Sequence, residues 1–162
     1  MTSTMASWID PGTEEAADQL RDAAFGTVRG GGEERSGRAP SLDDWFLELI
    51  AADVAWLADC EPLRQRHRVR FEAALDDTVH AAQMIEGIET NTFGLAFDRK
   101  HAAILRYVDK LATLPQAMSK GDINAMRAAG ASDDEILDAC LAVAEATRRV
   151  RLVRGLGIEP AD

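Results

Sequence analysis

The chain has 162 residues and a formal net charge of −10, from 28 acidic against 18 basic side chains. That length suits one domain, and 46% hydrophobic residues supply a packed core. The acidic balance argues against a nucleic-acid surface, which needs cations to meet phosphates, and against an anionic membrane surface.

No apolar run approaches the roughly 20 residues of a membrane span. Residues 1–11 lack the basic and apolar regions of a secretory signal. Two cysteines, Cys60 and Cys140, make no disulfide framework, so the expected compartment is the cytoplasm. Alanine is abundant, with 28 residues, and aromatics are only 6%, which favours close-packed helices.

Residues 13–24 (TEEAADQLRDAA) read as a short amphipathic helix with acids in its first turn. Residues 26–40 (GTVRGGGEERSGRAP) carry three consecutive glycines, clustered charges and a proline, the composition of a flexible linker. The expected organisation is an N-terminal arm, 1–40, followed by a helical domain, 41–162.

After Pro40, helical spacing dominates. Ser41 with Asp44 reads as an N-cap and an acid at N3. Leu42, Trp45, Phe46, Leu49, Ala52, Val54 and Trp56 give a wide apolar face. Leu63, His67, Phe71 and Ala74 continue the pattern. Residues 77–89 form a further helix, with Gly87 as its weakest helix former, and Asn91 to Gly94 read as a turn. From Asp98, Ile104, Tyr107, Val108 and Leu111 line a helix ending near Pro115. Ser119 with Asp122 opens a short helix that Gly130 ends. Ser132 with Glu135 is a full capping box for a long helix. That helix turns Ile136, Leu137, Cys140, Leu141, Val143 and Ala144 inward and is stopped by Gly155 and Gly157. No alternating strand pattern of useful length occurs. The predicted fold is all-α, with about six or seven helices.

Three residues carry the most chemistry. Cys60 precedes a helix that Pro62 opens, where the dipole favours a thiolate. His67 shares a face with Cys60 and Leu63, at spacings of seven and four. Glu48 lies on the preceding helix, within reach of His67 if the two pack as a hairpin. A carboxylate orienting an imidazole beside a nucleophile is one reading. A small core cysteine, a core histidine and a surface acid is the other, and spacing alone leaves both open.

Glu48, eleven residues, Cys60, two residues, Leu63, three residues, His67: this pattern resembles the E-x11-C-x2-C-x3-H motif of AhpD-like alkylhydroperoxidases, within the carboxymuconolactone decarboxylase-like superfamily. The C-terminal half, with RAAG, SDDEI and GLG, is also similar. The resemblance spans roughly residues 41–158. It implies an AhpD-like helical domain, a site at Glu48, Cys60 and His67, and a homo-oligomer, trimer or hexamer.

Leu63 stands where that family has its second cysteine, the one that attacks peroxide while Cys60's counterpart resolves the sulfenic acid. A dithiol cycle within this motif is therefore impossible. The last helix also departs, reading EATRRV where the family has aromatic and Asn residues. Arg148 and Arg151 fall there, and one of them is a candidate to hold a substrate carboxylate. Leu63 would line the same pocket.

Three functions follow as expectations. The first is an acid–base enzyme acting on a small organic substrate through His67 and Glu48, with Cys60 nearby. The second is a single-cysteine peroxidase using Cys60 with an external thiol. The third is a silent structural or binding subunit. No cofactor is expected. His80 and His101 make no metal-ligand pattern, so no metal is expected either. Cys140, mid-helix, reads as a small buried hydrophobe. The arginines at 64, 66, 68 and 70 read as a solvated, salt-bridged face, or alternatively as the mouth of an anion-attracting pocket.

Overall fold

A computed structural model describes Gln19 and residues 39–75 and 77–157. The expected helix at 13–24 falls, but for Gln19, outside the described residues, as does nearly all of the 26–40 linker. Seven α-helices and no strand are found among the described residues: α1 (Asp44–Leu57), α2 (Glu61–Ala74), α3 (Thr78–Glu89), α4 (Phe93–Ala96), α5 (Arg99–Thr113), α6 (Lys120–Ala128) and α7 (Asp133–Leu156). A 3-10 turn, Pro115–Ala117, joins α5 to α6.

Helix α1 is the centre of the fold. It packs against α2, α7, α5 and α3, and every residue from 46 to 55 is buried. Its sequence explains this, because apolar or small residues occupy all sides of the helix rather than one stripe. Phe46, Leu49 and Ile50 are fully enclosed and join Phe71, Ile104, Leu105 and Met126 in the main core. Each such side chain contributes about 1.5–3 kcal/mol through burial. Two acids, Glu48 and Asp53, are buried with them.

The start of α1 differs from expectation. Asp43, not Ser41, occupies the N-cap. The backbone N–H groups of Ser41 and Leu42 instead donate to Oδ2 of Asp138 on α7. The chain entering α1 is thus fastened to the last helix by a buried carboxylate.

Helix ends follow a common rule. The Cys60 N–H donates to Ala55 O at 2.8 Å and the Asp59 N–H to Trp56 O at 2.9 Å, with Asp59 left-handed at φ 51°. That is a Schellman ending for α1. Helix α3 ends the same way around Asn91 (φ 55°), and α6 around Gly130 (φ 104°). The Asn91 to Gly94 turn is real only at its beginning, because Phe93–Ala96 then forms α4.

Gly87 does not interrupt α3. A Cβ there would sit 2.7 Å from the Ala96 Cβ and 3.3 Å from the Phe97 ring, so glycine lets α4 and the following residue approach. The capping box of α7 is present: the Glu135 N–H donates to Ser132 Oγ at 3.1 Å, and the Ser132 N–H to Glu135 Oε2 at 2.8 Å. Its termination needs correction. Gly155 lies inside the helix, and only Gly157, at φ 62°, ends it. The inward face also shifts. Leu137 and Ala144 are exposed, while Ile136, Ala139, Ala142, Val143, Ala146, Val150 and Val153 are buried. No helix among the described residues is long and apolar enough to cross a membrane.

Candidate active site

The α1–α2 connection builds the site. Asp59 turns the chain, and Cys60 becomes the N-cap of α2 with Pro62 in the first turn. Arg154, from the last turns of α7, donates through Nη2 to the Ala58 carbonyl and to Asp59 O at 3.1 Å. It thereby ties the Cys60 turn to α7. Nothing in the sequence marked Arg154 for this, because its acceptors are backbone carbonyls.

Helix α2 is mostly polar, and its buried face is narrow: Leu63, His67 and Phe71, four residues apart. Cys60 is 4% exposed and Leu63 1%. The two pack with Ala55, Val150 and Val153 into a small apolar cluster between α1, α2 and α7. Cys60 and Cys140 are both free thiols.

His67 is 1% exposed. Its Nδ1 lies 2.7 Å from Oε2 of Glu48, so the expected hairpin contact forms. With a carboxylate as acceptor, Nδ1 carries the proton and the neutral ring presents a bare Nε2. That Nε2 is buried and has no hydrogen-bond partner. Burial holds the imidazole below its ordinary value of 6.5. The Glu48 contact opposes this shift, and the Arg149 and Arg70 guanidinium groups reinforce it. The imidazole is therefore neutral at pH 7.

The two expected substrate arginines are placed differently from each other. Arg148 is half-buried and bound to Glu145, through Nε at 2.9 Å and Nη2 at 2.6 Å. Arg151 is exposed. The arginine that bears on His67 from α7 is Arg149, which is 3% exposed and donates to Glu145 Oε1 at 2.9 Å. These hydrogen bonds, Arg148's first, hold the Glu145 carboxyl down at about 2. In the sequence Arg149 reads only as one of four cations near the helix C-terminus, because RR at 148–149 does not reveal which side chain turns inward. The i, i+4 spacing from Glu145 was the available signal.

The arginines of α2 divide similarly. Arg64 pairs with Glu61 at 2.7 Å and lies over the Trp56 ring, and Arg68 pairs with Glu72 at 2.9 Å. Arg70 is near enough to Glu48 and Arg149 to feel both charges. Cys140 is not the wholly apolar residue expected, for its Sγ lies 3.0 Å from the Tyr107 hydroxyl. Among the described residues no group of three or more His, Cys, Asp or Glu side chains is arranged to hold a metal ion.

No family model and no curated protein matches the chain. A solved structure does: the crystal structure of an uncharacterized peroxidase-related protein from Silicibacter sp. TM1040. It superposes with a TM-score of 0.66 at 16% identity, covering 91% of this chain and 69% of that one. At that identity the likeness speaks for architecture alone, and the architecture is the AhpD-like helical fold.

Proposed function

We propose that the chain is a diverged member of the AhpD and carboxymuconolactone decarboxylase-like superfamily that carries out acid–base chemistry on a small organic substrate. One observation carries this reading: a fully buried His67 whose Nδ1 is engaged by Glu48 and whose Nε2 is bare. A bare, neutral Nε2 is a general base. It would accept a proton from a carbon acid while the C–H electron pair stays on the substrate as an enolate. Glu48 would stabilise the imidazolium that forms, and Nε2 would return the proton to product. Leu63 and Cys60 would supply an apolar wall. In this reading residues 41–162 form the working domain. Val79 and Leu95, 68% and 91% exposed, would be covered by other copies of the chain in a homo-oligomer.

The test is hydrogen exchange and decarboxylation of a panel of small keto and lactone acids in D2O, followed by NMR. Wild type should exchange or decarboxylate at least one of them. His67→Ala should lose about 100-fold or more, and Glu48→Gln should fall between. The rate should hold below pH 6.5 and fall only at lower pH, because burial depresses the base. Normal turnover in both variants would remove the basis of the reading.

The position of Cys60 at the N-cap of α2, with the peroxidase-related neighbour, supports a second reading: a one-cysteine peroxidase. Consumption of cumene hydroperoxide with dithiothreitol, lost in Cys60→Ser, would transfer the proposal to it.

A further inference from the structure

A cleft of about 420 Å³ lies between α5 and α6, away from the Glu48–His67 pair. Its α5 wall presents Arg99, Arg106 and Lys110, spaced by seven and four residues and so on one helix face. Ala103, Ala125 and Ala129 keep it open and partly apolar. Tyr107, 8% exposed, contributes its ring to the lining. The volume falls in the range of small-molecule sites, about 300–1,000 Å³.

The charges in this cleft are unbalanced. Lys110 is neutralised by Asp122, with contacts of 2.7 and 2.8 Å. Arg99 and Arg106 form neither an ion pair nor a side-chain hydrogen bond with any described residue. Elsewhere the chain has acids to spare: Arg64, Arg68, Arg127, Arg148 and Arg149 each hold a carboxylate. Arg99 and Arg106 are exposed along the cleft, so their guanidinium groups are open to an anion from solution. The guanidinium fork matches carboxylate and phosphate oxygens in two parallel hydrogen bonds.

We propose that the α5–α6 cleft binds a small organic anion bearing a carboxylate or phosphate group. Arg99 and Arg106 hold the anionic head, and the alanines with the Tyr107 ring take a compact apolar body. The Lys110–Asp122 pair presents no net charge at the other end, so the anionic head is held at the arginines.

The test is titration calorimetry on the full chain at low ionic strength, with inorganic phosphate, citrate and benzoate as probes and glycerol as the uncharged control. At least one anion should bind saturably at millimolar concentration or better, and glycerol should not. Preference for phosphate or for the carboxylates identifies the head group, and either supports the site. Arg106→Gln should weaken binding by about tenfold, and the Arg99→Gln/Arg106→Gln double variant by more. Lys120→Gln, outside the cleft, removes the same charge and should leave affinity unchanged. Ala125→Glu, on an exposed wall position, should also abolish binding and guards against misfolding of the arginine variants. The proposal is overturned if no anion binds wild type, if the double variant binds as well as wild type, or if Lys120→Gln weakens binding equally.

Discussion

Helix α1 buries two acids five residues apart, Glu48 and Asp53, and they meet opposite company. Glu48 faces the His67 imidazole at 2.7 Å. Asp53, 0% exposed, faces a second carboxyl, Asp109 of α5, and neither of its oxygens has a donor. Burial acts alike on both pairs by disfavouring charge. It pushes the imidazole down and pushes Asp53 well above its ordinary 3.8, the nearby Asp109 raising it further. The partner makes the difference. A carboxylate beside an imidazole finds its donor in the ring N–H, whereas two carboxylates have none, so a proton retained between Asp53 and Asp109 must serve. The first pair leaves the ring nitrogen Nε2 buried without a partner. The second sets two carboxyls of α1 and α5 against each other in the core.

Removing the partner should separate the pairs most sharply. Glu48→Leu leaves Nδ1 of a fully buried ring without an acceptor, and we expect a loss of about 2–3 kcal/mol in urea unfolding. Glu48→Gln keeps an acceptor and should lose less. A loss under about 0.5 kcal/mol for Glu48→Leu would mean that His67 finds another partner and that the pair is not a unit.

Asp53→Asn should act in the opposite direction, stabilising the chain at pH 7 by about 1–2 kcal/mol, because the amide is neutral and a donor without the proton uptake that a buried Asp53 requires. The pH dependence sharpens the contrast. Asp53, raised in the fold, contributes stability that is fully present below pH 3.8 and is lost as pH rises through its folded value. His67, lowered in the fold, contributes stability present above pH 6.5 and lost as pH falls toward its folded value. Between those limits the two slopes oppose each other. In Asp53→Asn the opposing Asp53 slope is gone, so unfolding free energy should climb more steeply from pH 4 to 6.5 than in wild type. An unchanged slope would show that Asp53 does not hold a proton in the fold.

The helical architecture was legible because its signals are local. Asp77, Asp98 and Ser132 cap the helices they precede, and the period-four face Leu63, His67, Phe71 is the buried one. The Glu48–His67 contact was legible too, since a short connection makes α1 and α2 neighbours. What escaped depends on packing across distant elements. Asp138 grips Ser41 from 97 residues away, and Arg149 rather than Arg148 turns toward His67. Asp53 carries no reading in the sequence, because its burial follows only from α1 being enclosed on every side. Asp59 escaped for a different reason: left-handed residues are usually glycine, and an aspartate there is not announced by its sequence.

The smallest effect compares the two left-handed turn residues, one beside each pair. Asp59 precedes the Cys60 N-cap, and Asn91 precedes α4. Both take a conformation that L side chains adopt at a cost, so glycine should relieve strain at either position. Glycine also loosens the unfolded chain, which leaves a net gain of about 0.5 kcal/mol. Asp59→Gly should show that gain in full, because the turn is held by backbone bonds and by Arg154, which donates to main-chain carbonyls. Asn91→Gly loses something more, since the Asn91 amide donates to Asp109 Oδ2 at 3.3 Å and is a donor from outside the acid pair. That bond is long and exposed, so its loss should merely cancel the gain. Paired urea unfolding curves should therefore place Asp59→Gly above wild type and Asn91→Gly level with it. Equal gains would mean that the amide does nothing for the carboxyl pair. A clear loss at Asn91 would mean that the pair depends on it.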